Sequence, residues 1–276
     1  MKIATFDLEI AKGFPDGGNW KANAPLGITC AALGFSDAAE PKFFHAAPQL
    51  SRDACCELVR ELQRVMDAGY TLVTWNGTAF DFAVLADESG MARECAELAL
   101  AHVDLMVIVT FQRGYFLGLQ KALAGAGIHG KLKEVTLNDG SRLYEMSGKL
   151  APELWAKGEY DAVLSYLRED VMPLIKLTQI VADAKKIRWT SNKGNLTSVD
   201  VKKLFTVREC FDFPLPDTSW MNTEPAHREK LIEWMPPLAD FLSLNDSPRS
   251  IRELPLFAYA EQEPYWREFR YALKHQ

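Results

Sequence analysis

Nowhere does this sequence string together the roughly 18 apolar residues that cross a bilayer, so no membrane contact is expected. Its start shows no charged-then-apolar leader pattern either, because Asp7 and Glu9 interrupt the apolar run. Cysteine is sparse: Cys30, Cys55, Cys56, Cys95 and Cys210 are odd in number and lack C-x-x-C spacing. That pattern argues against a disulfide framework and a zinc site, and points to reduced thiols in the cytoplasm. A large positive charge is missing as well. The net charge of −6 over 276 residues gives no sign of a strongly basic nucleic-acid module, although the distribution of charge matters more than its sum. Internal repeats, low-complexity tracts and full P-loop spacing are absent. The G-x-G-x-x-G match at Gly125–Gly130 follows a helix-like stretch rather than a strand, so it reads as a helix end. The histidines at 45, 102, 129, 227 and 275 are scattered and suit surface or hydrogen-bonded core positions.

What is present is a globular composition, 48% hydrophobic, with room for one good core and an added layer. Ile3–Ile10 reads as a first strand, Leu26–Phe35 as a second and Lys42–His45 as a short third, with a Gly/Pro-rich loop over 11–25. Ser51 caps a helix to about Ala68, with Leu58, Leu62 and Val65 on one face. A short strand over 71–75, helices near 80–89, 91–101 and 117–124, and a strand at Val103 follow. A hairpin turning at Asn138-Asp139-Gly140 precedes the longest helical pattern, Glu159 to about Ala184, which Pro173 should kink. Strands first, then strand–helix alternation, predict an α/β fold with a mixed sheet of about five strands and helices on both faces.

Three acidic signals lie on that frame. The first strand carries Asp7 and Glu9 two residues apart, hence on one face and about 7 Å from each other. In a half-buried setting two such charges call for a cation, and a divalent ion with oxygen ligands is the simplest; a solvated edge strand fits the same residues. The second signal is Trp75-Asn76-Gly77-Thr78-Ala79-Phe80-Asp81, where a strand ends and a helix begins, the usual place for ligands in α/β sheets. Thr78 and Asp81 also fit a capping box. The third is Tyr166-Leu167-Arg168-Glu169-Asp170, whose first and last residues share a helix face, as they would on any amphipathic helix. Asp104, after the Val103 strand, is placed to border the site, although a loop acid is the preferred reading.

Taken in order, the D-x-E strand, the N-x-x-x-F-D turn and the Y-x-x-x-D helix resemble the DEDDy 3′–5′ exonucleases of the ribonuclease H-like superfamily, most closely the exonuclease domain of family B DNA polymerases. The histidine variant of that family would place His at position 165; Ser165 stands there and Tyr166 follows, so the tyrosine variant is the match. The resemblance covers about residues 1–182. It implies that Asp7, Glu9, Asp81 and Asp170 bind two Mg²⁺ (or Mn²⁺) ions, four negative charges against four positive ones. It implies that Tyr166 orients the attacking water, and that Asn76 and Phe80 shape the pocket for the terminal nucleotide. The implied activity is metal-dependent removal of nucleotides from the 3′ end of single-stranded nucleic acid, with DNA as the expected substrate. RNA as substrate, or a nuclease-like fold that only binds nucleic acid or protein, are the alternatives. A D-x-D phosphatase or glycosyltransferase would leave the second and third signals unexplained.

The nuclease-like domain is expected over 1–184, with residues 185–276 as an irregular extension packed on it, including a helix around 226–235. Between 183 and 208 there are seven Lys/Arg against Asp183 and Asp200, a local +5. Lys185, Lys186, Arg188 and Trp189 there suit a single strand held by phosphate contacts and base stacking; a solvated linker fits equally. No residue pattern points to a protein partner.

Overall fold

The computed structural model describes residues 1–14, 20–128 and 134–236. Residues 15–19 of the expected surface loop, the end of the Gly-rich connection after 128 and the extension beyond 236 lie outside the described residues. In chain order the elements are β1 (Ile3–Ile10), β2 (Ile28–Phe35), β3 (Lys42–His45), α1 (Arg52–Asp67), β4 (Thr71–Thr74), α2 (Asp81–Ser89), α3 (Ala92–Ala101), β5 (Val103–Asp104), α4 (Leu105–Arg113) and α5 (Leu119–Gly125). Then come β6 (Glu134–Thr136), β7 (Arg142–Tyr144), α6 (Ala151–Ala156), α7 (Tyr160–Ala184), β8 (Lys186–Thr190), β9 (Leu196–Asp200) and α8 (Val207–Cys210).

The main sheet has five strands in the order β3-β2-β1-β4-β5. The β3–β2–β1 part is an antiparallel meander, and β4 and β5 join in parallel. The mixed sheet follows from the sequence: loops of 17 and 6 residues, whose described residues form no α-helix, link the first three strands, while helices supply the crossovers that parallel pairing requires. β1 is central and covered on both faces. Its even residues Ala4, Phe6, Leu8 and Ile10 pack with α1, α2 and α3 through Leu58, Leu62, Phe82, Leu85 and Leu98. The opposite face looks toward α7, where Thr5 Oγ1 donates to Val171 O at 2.9 Å. A Cβ on Gly34 would stand 2.7 Å from Thr5 Oγ1 and 3.2 Å from Ile175 Cδ1, so the glycine is what lets α7 lie this close to the sheet. α7 runs on through Pro173.

Several elements agree with the sequence reading, including the Ser51 cap, whose side chain accepts from Ala54 N, and the β6–β7 hairpin around Asn138-Asp139-Gly140. Others do not. The run Leu105–Phe111 is buried on all sides, so it shows no helical periodicity and α4 passes unnoticed in the sequence. The helix expected at 226–235 is a single 3-10 turn, Glu229–Leu231. The basic stretch after α7 is not linker but a hairpin, β8 pairing with β9 in antiparallel register from Lys186↔Asp200 to Thr190↔Leu196.

The described part of the extension shares the core of the preceding residues. Ile187, Trp189, Val199, Val207, Phe211 and Leu231 belong to the same cluster as Ile3, Val73, Ile108 and Leu174. Arg228 is buried and lies 4.4 Å over the Phe111 ring, its guanidinium donating to the carbonyls of Phe111, Phe213 and Pro214. All five cysteines carry unpaired thiols. Among the described residues no helix is long and apolar enough to cross a membrane.

Candidate active site

The acidic residues gather where β1, the β4–α2 turn and α7 meet. Asp7 is half-buried, while Glu9, Asp81, Tyr166 and Asp170 are 6%, 4%, 2% and 3% exposed. A bulge follows Glu9: the register steps from Glu9↔Cys30 to Ile10↔Ile28. Thr29 is the extra residue, and its hydroxyl donates to Glu9 O at 3.0 Å. Bulges of this kind re-aim side chains beside functional sites. The chain near Gly148 comes up against Glu9, since a Cβ there would lie 3.5 Å from Glu9 Oε2.

Asp81 begins α2 and turns back to β1, where its Oδ1 accepts from Leu8 N at 3.1 Å. The sequence also allowed a capping box between Thr78 and Asp81; it is not formed. Thr78 Oγ1 donates instead to Asp104 Oδ2 at 2.8 Å, and Phe80 rather than Thr78 is the N-cap. Burial pushes the Asp81 carboxyl up to about 7, against hydrogen bonds from the Asp7 carboxyl and the Asp81 and Leu8 amides; the Asp104 charge pushes in the same upward direction. Asp7 and Asp81, 74 residues apart in the chain, are thus in direct contact. The neighbouring Cys30 thiol is raised far above its ordinary range by burial and by the charges of Glu9 and Asp7.

α7 brings the third signal across the same sheet face. Thr5 alternates with Asp7 and Glu9 along β1, and its hydroxyl holds Val171, the residue after Asp170. Tyr166 packs with Cys30 and Ala32, which stand opposite Glu9 and Asp7 in the β1–β2 register. All five residues singled out for catalysis therefore occupy one region. Among the described residues, no three His, Cys, Asp or Glu side chains form a group that could hold a metal ion as they stand. The donor set nevertheless suits a hard divalent cation: it is all carboxylate, largely buried, and includes an acid whose ionisation burial opposes.

The turn bearing Asn76 is built by residues that the sequence did not mark. Asp104, read there as a loop acid, is fully buried and accepts from Asn76 N, Thr78 N and Thr78 Oγ1 as well as from Met106 N and Val107 N. It caps α4 and pins the turn at once. Behind the turn, Gly77 N donates to Thr74 Oγ1, Thr74 Oγ1 donates to His102 Nε2, and His102 Nδ1 donates to Ala99 O. Burial lowers the His102 pKa, which keeps this neutral tautomer. Asn76 adopts φ 74°, a left-handed conformation that Asn tolerates. Phe80 is half-buried and meets Trp20 edge-on at 5.5 Å, and Trp234 Nε1 donates to Thr78 O at 2.8 Å. The order Asp104–Leu105, strand into helix, was the one available signal for this support.

The basic stretch falls elsewhere. Lys185 lies fifteen residues after Asp170, at the end of α7, roughly 22 Å of helix rise away. Strand alternation in β8 turns Lys186 and Arg188 outward and Ile187 and Trp189 inward. Trp189 is 1% exposed and packs against Tyr115, so it offers no face to a base; its place in a hairpin over the core is what overturns the stacking role. Lys186 pairs with Asp200 at 3.5 Å.

The family model of the RNase H superfamily matches residues 23–182. The chain belongs to the RNase H superfamily. Within this RNase H-like chain, Asn76, Phe80, Asp81, Tyr166 and Asp170 fall inside the matched span, and β1 with Asp7 and Glu9 lies before it. Among solved structures, the chain is similar to the family B DNA polymerase from the hyperthermophilic archaeon Pyrobaculum calidifontis, with 15% identity, a TM-score of 0.44, and coverage of 77% of this chain and 28% of that one. A likeness so distant, over so small a part of the polymerase, says nothing of activity. No curated protein matches the chain.

Proposed function

We propose that this RNase H-like protein is a metal-dependent 3′–5′ exonuclease acting on single-stranded nucleic acid, with DNA as substrate. The observation that carries the reading is the Asp7–Asp81 contact beside Glu9, on the sheet face that α7 crosses with Tyr166 and Asp170. Asp7, Glu9, Asp81 and Asp170 would hold two Mg²⁺ or Mn²⁺ ions, whose chemistry is to offset phosphate charge and to stabilise the attacking and leaving oxygens of a phosphodiester. Tyr166 serves to orient the attacking water through its hydroxyl. Asn76 and Phe80, on a turn fixed from both sides, position the terminal nucleotide.

A second reading is a nuclease-like fold that binds nucleic acid without cutting it. One experiment separates them. DNA and RNA oligomers labelled at the 5′ end are incubated with Mg²⁺, with Mn²⁺ and with chelator. A ladder shortening from the 3′ end, abolished by chelator and by Asp7→Ala, supports the exonuclease. Binding without metal-dependent shortening, or an Asp7→Ala variant as active as the parent, refutes it.

A further inference from the structure

Among the described residues the most exposed large apolar side chains are Leu196, Met1 and Tyr144, in separate elements, and three others gather elsewhere. Phe116 is 57% exposed, Trp220 60% and Leu215 49%, and they lie in two segments that pack together. Tyr115 meets Trp220 edge-on at 6.0 Å. Ala226 N donates to Gly114 O at 2.7 Å, and a Cβ on Gly114 would lie 3.4 Å from Met221 Sδ. The patch is tied to the turn of the candidate active site: Trp75 Nε1 donates to Leu117 O at 3.0 Å, so the residue next to Phe116 is bonded to the residue next to Asn76.

One border of the patch carries cations, of which Lys186 is paired with Asp200. Between 113 and 121 the charged residues are Arg113 and Lys121, and between 184 and 199 they are Lys185, Lys186, Arg188 and Lys193, with no acid in either segment. The two segments adjoin, since Arg113 donates to Ser198 O, the register partner of Arg188, and Lys121 Nζ donates to Asn192 Oδ1 at 2.6 Å. The Trp220 border is acidic: Trp220 Nε1 donates to Asp217 O at 2.8 Å, the Asp217 carboxylate accepts from Ser219, and exposed Glu224 follows in the same segment. Exposed rings bordered on one side by cations and leading toward a carboxylate site match the two needs of a single strand, stacking for its bases and charge for its phosphates.

We infer that Phe116 and Trp220, backed by Tyr115, form a base-stacking platform that holds single-stranded nucleic acid on its way to the Asp7–Asp81 site. The inference rests on the nuclease reading and deepens it by assigning the surface that grips the strand upstream of the end being cut. Lys121 and Arg188 face its phosphates. The exposed residues of β8 thereby keep a part in binding, as the platform's charged border.

The test uses the full chain and fluorescent oligothymidine. Phe116→Ala/Trp220→Ala removes two exposed rings together with the Trp220 contacts to Tyr115 and Asp217 O, and an unchanged melting temperature checks the fold. Anisotropy in chelator should show oligothymidine bound roughly 10- to 100-fold more weakly. A pair that keeps rings, Phe116→Trp/Trp220→Phe, should restore binding. Cleavage of a dinucleotide, too short to reach the platform, should keep the parent's rate with Mn²⁺. Equal affinity of the alanine variant and the parent overturns the platform, as does a variant that changes only the oligomeric state or the protease sensitivity of residues 237–276, which would mark a protein-facing surface. Ring-dependent binding without Asp7-dependent cutting supports the platform and overturns the nuclease reading instead.

Discussion

Asp81 carries an ionisation that the fold opposes. Burial lifts its carboxyl from 3.8 to about 7, so the folded chain without metal prefers it neutral. A raised carboxyl contributes its stability in full below the unfolded value, near pH 4, and loses it as pH climbs through about 7. In chelator, denaturant unfolding should therefore show stability falling by a few kcal/mol between about pH 4 and 7, because each tenfold difference in proton affinity between the folded and unfolded chain corresponds to about 1.4 kcal/mol. Asp81→Asn should flatten that slope. Divalent metal should raise the melting temperature more at pH 8 than at pH 6, since it needs the ionised form. An unchanged slope in Asp81→Asn removes this account. Asp104 is a buried acid whose acceptor sites are filled by Asn76, Thr78, Met106 and Val107. Asp104→Ala leaves those donors stranded and should cost about 3 kcal/mol or more by urea unfolding. It should also lower oligonucleotide cleavage by loosening the Asn76 turn; a loss below about 1 kcal/mol would show that water replaces the carboxylate.

At the scale of elements, the β8–β9 hairpin is a structural cover whose outward side is charged. A Cβ on Gly125 would stand 1.9 Å from Arg188 O, so α5 and β8 touch through backbone, and the glycine of the G-x-G-x-x-G match serves close packing rather than phosphate binding. Trp189 points into this contact. Trp189→Ala should therefore act as a core truncation, costing about 3–5 kcal/mol, in place of the loss of binding that a stacking residue would show. Replacing Lys185, Lys186 and Arg188 together by Ala should leave stability nearly unchanged and flatten the salt dependence of single-strand binding, by about 0.7 in log–log slope for each phosphate that the variant no longer neutralises. A stable Trp189→Ala protein with weakened binding would reverse this assignment.

For the whole molecule, the decisive fact is that the sheet and the described extension share one core. Trp189, Val199, Phe211 and Leu231 pack in the cluster that holds Ile3 and Leu174, and buried Arg228 ties Phe111 to Phe213 and Pro214. Trp234 reaches the turn at Thr78. A chain ended at Ala184 would expose this surface and lose the support of that turn. It should be insoluble or melt more than about 10 °C below the full chain, following the several kcal/mol carried by each large buried side chain. A cooperative, equally stable fragment would instead show that the extension is only a passenger.

The sequence by itself determined the mixed sheet, the long helix and which acids to look for together in the fold. Those features are written in local patterns: alternation along β1, a strand ending in Asn76-Gly77-Thr78, and the i, i+4 pair Tyr166–Asp170. The Ser51 cap and the Asn138–Gly140 turn were legible for the same reason. Tertiary structure decided what local pattern does not encode. Asp104 looks like any acid after a strand until the fold surrounds it with donors from the Asn76 turn. The buried run of α4 has no polar face and hence no period to read. Trp189 and Arg188 are neighbours in a basic stretch, yet strand alternation over a core sends one inward and the other to solvent. The contact of Asp7 with Asp81 depends on β4 pairing beside β1 in parallel, a long-range arrangement fixed by the burial of the whole sheet and by no residue alone.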